Sequence, residues 1–155
     1  MAEYYFRRIV ECDGLGSQIE TASAGTSEKE VGQPVYLLAK RQMASKGIGC
    51  KDKVSQQMTM AMYDSYDMIV AMDSKDLVAL KKIIKNAPEN KVTRLLDHVP
   101  GDNKEYSGRD IAAPLHTRKF DTAWQDIRVG CDALLQELKK SLQDEDPAPG
   151  KEAMA

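Results

Sequence analysis

Three cysteines and two histidines are the side chains of this 155-residue chain best suited to nucleophilic or metal chemistry. Cys12, Cys50 and Cys131 stand far apart with no Cys-x-x-Cys pair, and only His98 and His116 are available to join them. That spacing makes neither a metal-ligand set nor a disulfide framework, so all three read as reduced thiols, small and buried or half-buried. The other stretch that could carry chemistry runs from residue 97 to about 116 and is rich in Gly, Pro, Asp and Asn. Irregular segments of that length inside a compact domain are usually functional loops or disordered.

Composition narrows the partners. With 22 basic and 24 acidic residues and a formal net charge of -2, the chain has no single-sign field to attract nucleic acid or a membrane surface. No apolar run approaches the ~20 residues that cross a bilayer, and the N-terminus lacks the basic-then-apolar pattern of a secretory signal. A cytoplasmic location is the expectation. The length fits one domain, taken as residues 1 to 142. The polar, Pro-containing tail from 143 to 155, "QDEDPAPGKEAMA", is expected to be disordered. No nucleotide, metal or other cofactor is suggested.

The elements that must position these residues follow from periodicity. Ala2, Tyr5, Phe6, Ile9 and Val10 recur at helical spacing, with Arg7, Arg8 and Glu11 on the other side, so an amphipathic helix starts at or before residue 1 and ends near Asp13 and Gly14. "QIETASAG" fits a strand. "GQPVYLLAKRQMASKG" reads as a helix with Pro34 in its first turn, a stripe of Val35, Leu38, Ala39 and Met43, and Gly47 as its left-handed stop. A short helix follows. "DMIVAMD" has the length and continuous apolar character of a strand buried on both faces, as parallel strands are. Ser74 then caps "KDLVALKKIIK", which buries Leu77, Leu80, Ile83 and Ile84. "KVTRLL" is a shorter strand, and the last helix, from about 117 to 142, carries Phe120, Trp124, Ile127, Cys131, Leu134, Leu135, Leu138 and Leu142 on one face. Alternating strands and helices give an α/β three-layer sandwich with a central parallel sheet. Such a sheet usually begins with a strand, and this chain begins with the helix that would follow one.

At "SAGTSEKEVGQPVYLLAKRQMASKGI" and "DSYDMIVAMDSKDLVAL" the chain resembles the low-molecular-weight protein tyrosine phosphatases, and "FDTAWQDIRVGCDALLQEL" resembles the last helix of that family. The resemblance covers residues 1 to 139 and implies hydrolysis of phosphotyrosine through a cysteinyl-phosphate intermediate. In the family, Met-Ala-Glu and an aromatic-bearing helix stand directly after the phosphate loop Cys-x-x-x-x-x-Arg-Ser-Pro. Met1, Ala2 and Glu3 fall on that stretch, so the resemblance implies that the first central strand, the nucleophilic cysteine and the phosphate-gripping arginine are missing. Such a loop works because helix N-terminal N–H groups keep the thiolate ionised while an arginine fork holds the phosphoryl oxygens. No replacement is found: the residue six after Cys12 is Gln18, after Cys50 it is Gln56, and after Cys131 it is Glu137.

The other family positions are also altered. Where the family has Asp-Pro and two aromatics, the Asp serving as general acid, "RDIAAPLHTRKF" places Ala113, Pro114, Leu115 and His116. Alanine donates no proton, which forgoes the ~10²–10⁴-fold that general acid catalysis contributes. Asp110, Asp102, Asp121 or His116 would have to deputise. Lys53 and Gln56 replace the His and Arg that support the phosphate loop from beneath, with only Gln57 in common. Ser23 and Asp73 do match family positions near the loop.

The resemblance places the absent strand between "IETASA" and "DMIVAM". Unmet buried backbone groups there would cost on the order of 1–3 kcal/mol each, so the chain is expected to need a rearranged sheet, a strand from a partner or a second copy, or residues preceding Met1. Three readings follow: a phosphatase acting on phosphotyrosine proteins or aryl phosphates, whose true start lies upstream; a pseudophosphatase serving as a binding or regulatory module; or a relic without stable function. Ala113, Leu115, His116, Lys53 and Gln56 favour an inactive chain as given. An arsenate reductase, which shares the fold, is a weaker alternative because it too needs the cysteine loop.

Overall fold

The computed structural model describes residues 1 to 85 and 87 to 145. Their elements run α1 (Ala2–Cys12), α2 (Leu37–Ser45), α3 (Met60–Ser65), β1 (Ile69–Ala71), α4 (Ser74–Ile84), β2 (Val92–Arg94), a 3-10 turn (Leu95–His98), α5 (Pro114–Thr117) and α6 (Phe120–Glu145). β1 and β2 pair in parallel, Ile69 opposite Val92 and Ala71 opposite Arg94. Parallel neighbours cannot be joined by a hairpin, and α4 makes the crossover.

The long helix α6 organises the interior. Its Ile127, Cys131, Leu134 and Leu135 pack with Phe6 and Val10 of α1 and with Leu95, Leu96, Val99 and Ile111. Burying each such aliphatic side chain contributes roughly 1.5–3 kcal/mol, so the 3-10 turn, with Leu96 fully buried and Leu95 nearly so, is the hub of this core. Trp124 closes a second cluster with Met43, Ile48 and Cys50. A third, of Tyr63, Leu80 and Ile84, lies beneath α4.

Several sequence expectations need correction. "QIETASAG" forms no strand among the described residues. A strand needs a ladder partner, and here the carbonyls of Thr21 and Ser23 accept from side chains instead, from Arg7 Nη2 at 3.0 Å and Gln56 Nε2 at 3.0 Å. Only Gly25 pairs, in a single parallel bridge with Gln57, and Ala22, Ser23 and Ala24 are exposed. The "DMIVAMD" strand forms as β1 with packing on both faces, Met68, Val70 and Met72 against the α1–α6 core and Ile69 against the cluster of Tyr63, Leu80 and Ile84; among the described residues it pairs on one edge only, and Met68, Ile69 and Val70 stay half-buried. Pro34 does not open α2. It lies in an antiparallel bridge with Val54, and the helix begins after Tyr36. Of the expected stripe, Met43 is buried while Leu38 is exposed. The cap of α4 is Asp73 rather than Ser74, its Oδ1 accepting from Asp76 N–H at 2.8 Å. Gly47, at φ +73°, stops α2 as expected. α6 starts at Phe120 and continues past Leu142 to Glu145, so 143 to 145 are helical. The disorder expected for 146 to 155 lies outside the described residues.

Candidate functional site

Ser23 is drawn to the start of α1. Its hydroxyl donates to Glu3 Oε2, and the same carboxylate takes Lys53 Nζ at 2.7 Å and, through Oε1, Arg7 Nη2 at 2.6 Å. Burial of Glu3 opposes its charge, but the hydrogen bonds from Lys53 and Ser23 and the charges of Lys53 and Arg7 outweigh it and hold the carboxyl below its ordinary value. Glu3 is therefore a buried anion that fastens three segments together. Backbone bonds complete the junction: Gly25 N–H donates to Gln56 O at 2.8 Å and Met58 N–H to Gly25 O at 2.8 Å.

Asp73 stands at the C-terminal end of β1, where ligands of open parallel sheets are bound. Its partner Asp76 accepts from Thr26 Oγ1 at 3.3 Å, which links the turn after Ser23 to the start of α4. Burial, followed by repulsion from Asp73, raises the Asp76 carboxyl above its ordinary value. Ser23 and Asp73 are thus brought to one region by neighbouring residues, not by contact with each other.

The irregular loop is held by two arginines. Arg94 Nη1 reaches Asp110 Oδ1 at 2.9 Å and its Nη2 reaches Gly108 O at 3.0 Å. Arg109 grips Asp126 of α6 through two bonds of 2.7 and 3.0 Å and donates to Glu105 O at 2.8 Å. Asp110 Oδ1 also accepts from Ser74 Oγ at 2.8 Å and Ser74 N at 3.0 Å. The bonds from Ser74 and Arg94 hold its carboxyl below the ordinary value, the reverse of what a general acid needs. Asp121 accepts from Gln42 Nε2 at 2.9 Å; Asp102 is exposed on the loop.

Ala113 and Pro114 sit half-buried at the start of α5, whereas Leu115 and His116 are exposed. Pro114 occupies the first helical turn, which its fixed φ suits. Among the described residues no hydrogen bond joins the His116 ring to Ser23 or Asp73, and the Leu115 side chain has no group that could make one. The aromatic beside α5 is Tyr36, which stacks on Phe120 with centroids 6.0 Å apart and accepts from Arg118 Nη1 at 2.8 Å.

Among the described residues no thiol hydrogen-bonds to Glu3, Ser23 or Asp73, although Cys50 packs in the cluster that Met1 and Tyr4 cover. Cys131 lies inside α6 and is pushed up to about 12 by burial and by the neighbouring Asp132, so it is no thiolate nucleophile. Cys50 is buried behind Trp124, and Cys12 is exposed at the far end of α1. Among the described residues no group of His, Cys, Asp and Glu is arranged to hold a metal ion, and no helix is long and apolar enough to cross a membrane.

Sequence reasoning missed Glu3 as the junction. Its i, i+4 spacing to Arg7 was visible, but Lys53 and Ser23 are brought to it only by the fold. Tyr36 carried no signal beyond its aromatic character.

The model of the family described as low molecular weight phosphotyrosine protein phosphatase matches residues 1 to 144. The low molecular weight protein-tyrosine-phosphatase YfkJ of Bacillus subtilis is 28% identical over 143 residues, covering 92% of this chain and 89% of that protein. PtpA of Staphylococcus epidermidis is 26% identical, covering 90% and 85%. The crystal structure of YfkJ superposes with a TM-score of 0.84 at 27% identity, covering 90% of this chain and 86% of that one. The phosphatase SP-PTP of Streptococcus pyogenes gives 0.75 at 24% identity, over 92% and 87%, a likeness of fold.

Proposed function

The chain belongs to the low molecular weight phosphotyrosine protein phosphatase family, and from that membership we propose that these 155 residues keep the family's scaffold while lacking its turnover. The observation that carries this reading is the state of the thiols. A phosphoenzyme needs an ionised thiolate with an arginine on the same short loop. Cys131 is buried and protonated, and none of the three cysteines has arginine six residues on. Ala113 supplies no proton, and Asp110 is committed to Arg94 and Ser74. The relatives' names give phosphotyrosine proteins as the family substrate. On this reading the chain is a pseudophosphatase, a binding or regulatory module in which Ser23, Asp73, Pro114, Leu115 and His116 line the remnant of the site.

The test is a p-nitrophenyl phosphate assay on the 155-residue chain, with a binding titration of matched peptides. The expected result is no turnover above buffer and equal affinity for a tyrosine peptide and its phosphorylated form. Turnover above buffer that is lost when one of the three cysteines is changed to Ser, or a phosphate-dependent affinity, would overturn the reading.

One observation favours a second reading. β1 pairs on one edge only, and the segment around Ser23 finds side-chain partners in place of a strand. An added extended segment, from residues upstream of Met1, from a second copy or from a partner, would satisfy both. If that segment brought Cys-x-x-x-x-x-Arg, the protein would be a slow phosphatase for want of an acid at Ala113. The intact mass of the protein from its own cells distinguishes the readings.

A further inference from the structure

We propose that the groove between α1, the turn after α2 and α6 is a binding site for a small aryl carboxylate. The cavity measures about 230 Å³, below the ~300–1,000 Å³ of drug-sized sites, and so fits one ring bearing one anionic group. None of the residues around Glu3, Ser23 and Asp73 lines it.

Its apolar wall is built and fixed. Trp124 is 5% exposed and Ile48 8%. Tyr5 meets Trp124 edge to face, centroids 5.4 Å apart, and is oriented by its hydroxyl, which donates to Asp132 Oδ1 at 2.7 Å. An incoming ring would thus meet the half-buried Tyr5 and the exposed edge of Trp124 without rearrangement, and aromatic pairs in offset or edge geometry attract beyond their area.

The rim is cationic. Arg8, Lys46 and Arg128 line the same cavity, and among the described residues none of them forms an ion pair. Arg8 is also held in place, its Nη1 donating to Lys46 O at 3.1 Å and Gly47 O at 3.0 Å, carbonyls exposed where α2 ends. A planar carboxylate matches the guanidinium fork of such an arginine. Asp132 accepts the Tyr5 hydroxyl beside this wall, and its one negative charge is outnumbered by the three cations. Apolar floor and net positive rim together select an anion with an aromatic body over either part alone.

Trp124 is the only tryptophan, so its indole N–H gives one resonance that reports on this groove. The full chain is titrated with phenylacetate, with the neutral isostere phenylacetamide, and with inorganic phosphate. Saturable movement of the Trp124 signal by phenylacetate is expected, with a Kd of about 0.1–1 mM for so small a ligand. The amide should bind at least about tenfold more weakly for want of the charge-assisted contact, and phosphate at least about tenfold more weakly for want of a ring to bury. Lys46→Gln with Arg128→Gln, both exposed positions, should weaken phenylacetate about tenfold or more with unchanged circular dichroism. An amide that binds equally well, phosphate that binds equally well, an unaffected double variant, or no saturation would each overturn the proposal. The amide comparison uses the unaltered chain, so it stands even if the variant fails to fold.

Discussion

Gly130 of α6 lies against Leu95 so closely that a Cβ placed on it would stand 2.6 Å from Leu95 Cγ and 3.1 Å from Leu96 Cδ2. Both leucines are buried, and the nearest atom is a branch point, not a flexible tip. Gly130→Ala should therefore destabilise. Overpacking costs about 1–3 kcal/mol, against a gain of ~1 kcal/mol from better helix propensity. A urea midpoint at or above that of the unaltered chain would show that the helix can step away from the turn.

The Glu3 junction predicts acid sensitivity. Folding lowers the Glu3 and Asp110 carboxyl values, so the stability they contribute is fully present above their unfolded values, about 4.3 and 3.9, and is lost as pH falls through the folded ones. Glu3→Gln should cost about 1–3 kcal/mol at pH 7 and little in strong acid, where glutamic acid itself is neutral. Urea unfolding at both pH values checks this; a deficit that does not change with pH would refute it.

Arg109 and Asp126 form a two-bond pair in which the carboxylate side chain is 4% exposed and the arginine 41%. Removing one partner of a fully buried pair costs ~3–5 kcal/mol; with the arginine half in solvent, Arg109→Met should cost about 2–3 kcal/mol. Adding Asp126→Asn should recover part of that, because the uncompensated charge is gone. A double variant no more stable than the single one would place the cost elsewhere.

Asp73 caps α4 but also repels Asp76, whose carboxyl is raised by burial and by this neighbour. Removing the cap costs about 1 kcal/mol, and the relieved repulsion offsets part of it. Asp73→Ala should thus lose under about 1 kcal/mol at pH 7, and Asp73→Asn, which keeps a capping oxygen, should lose nothing. Thermal melts of both variants decide whether cap or charge dominates.

Ala113→Asp restores a carboxyl at the start of α5 without supplying a nucleophile. No p-nitrophenyl phosphate turnover is expected from that variant of the 155-residue chain. In a longer protein carrying the cysteine loop, the same change should raise turnover, by up to the ~10²–10⁴-fold of general acid catalysis. An unchanged rate there would remove Ala113 from the acid's position.

Local rules made the helices and the β1–α4–β2 unit legible. Gly47 ended α2 because a left-handed stop needs no tertiary partner, and the Leu80 and Ile84 spacing read correctly because burial follows helical period. Pro34 misled because it suits a bridge to Val54 as well as a helix turn, and the choice is made by residues far along the chain. "QIETASAG" failed as a strand for the same reason: β propensity expresses fit to neighbours, and here the neighbours are Arg7 and Gln56. For the candidate site, the sequence named Ser23 and Asp73 but not the groups that join them to the fold. Glu3 meets Lys53, and Thr26 meets Asp76, across separations no periodicity encodes.

The loop after the 3-10 turn takes its shape from Arg94 and Arg109, which bind Gly108, Asp110, Glu105 and Asp126. The side chains of residues 101 to 105 are exposed and make no hydrogen bond among the described residues. Sequence drift at that tip should therefore be nearly silent, and a short inserted epitope there should be accommodated. Exchange of either arginine would loosen the segment on its own side, with Ser107 Oγ on Val99 O, Gly108 N–H on Leu96 O and Ile111 N–H on Met72 O left to hold the rest. The tip is thus free to vary while its two ends are not.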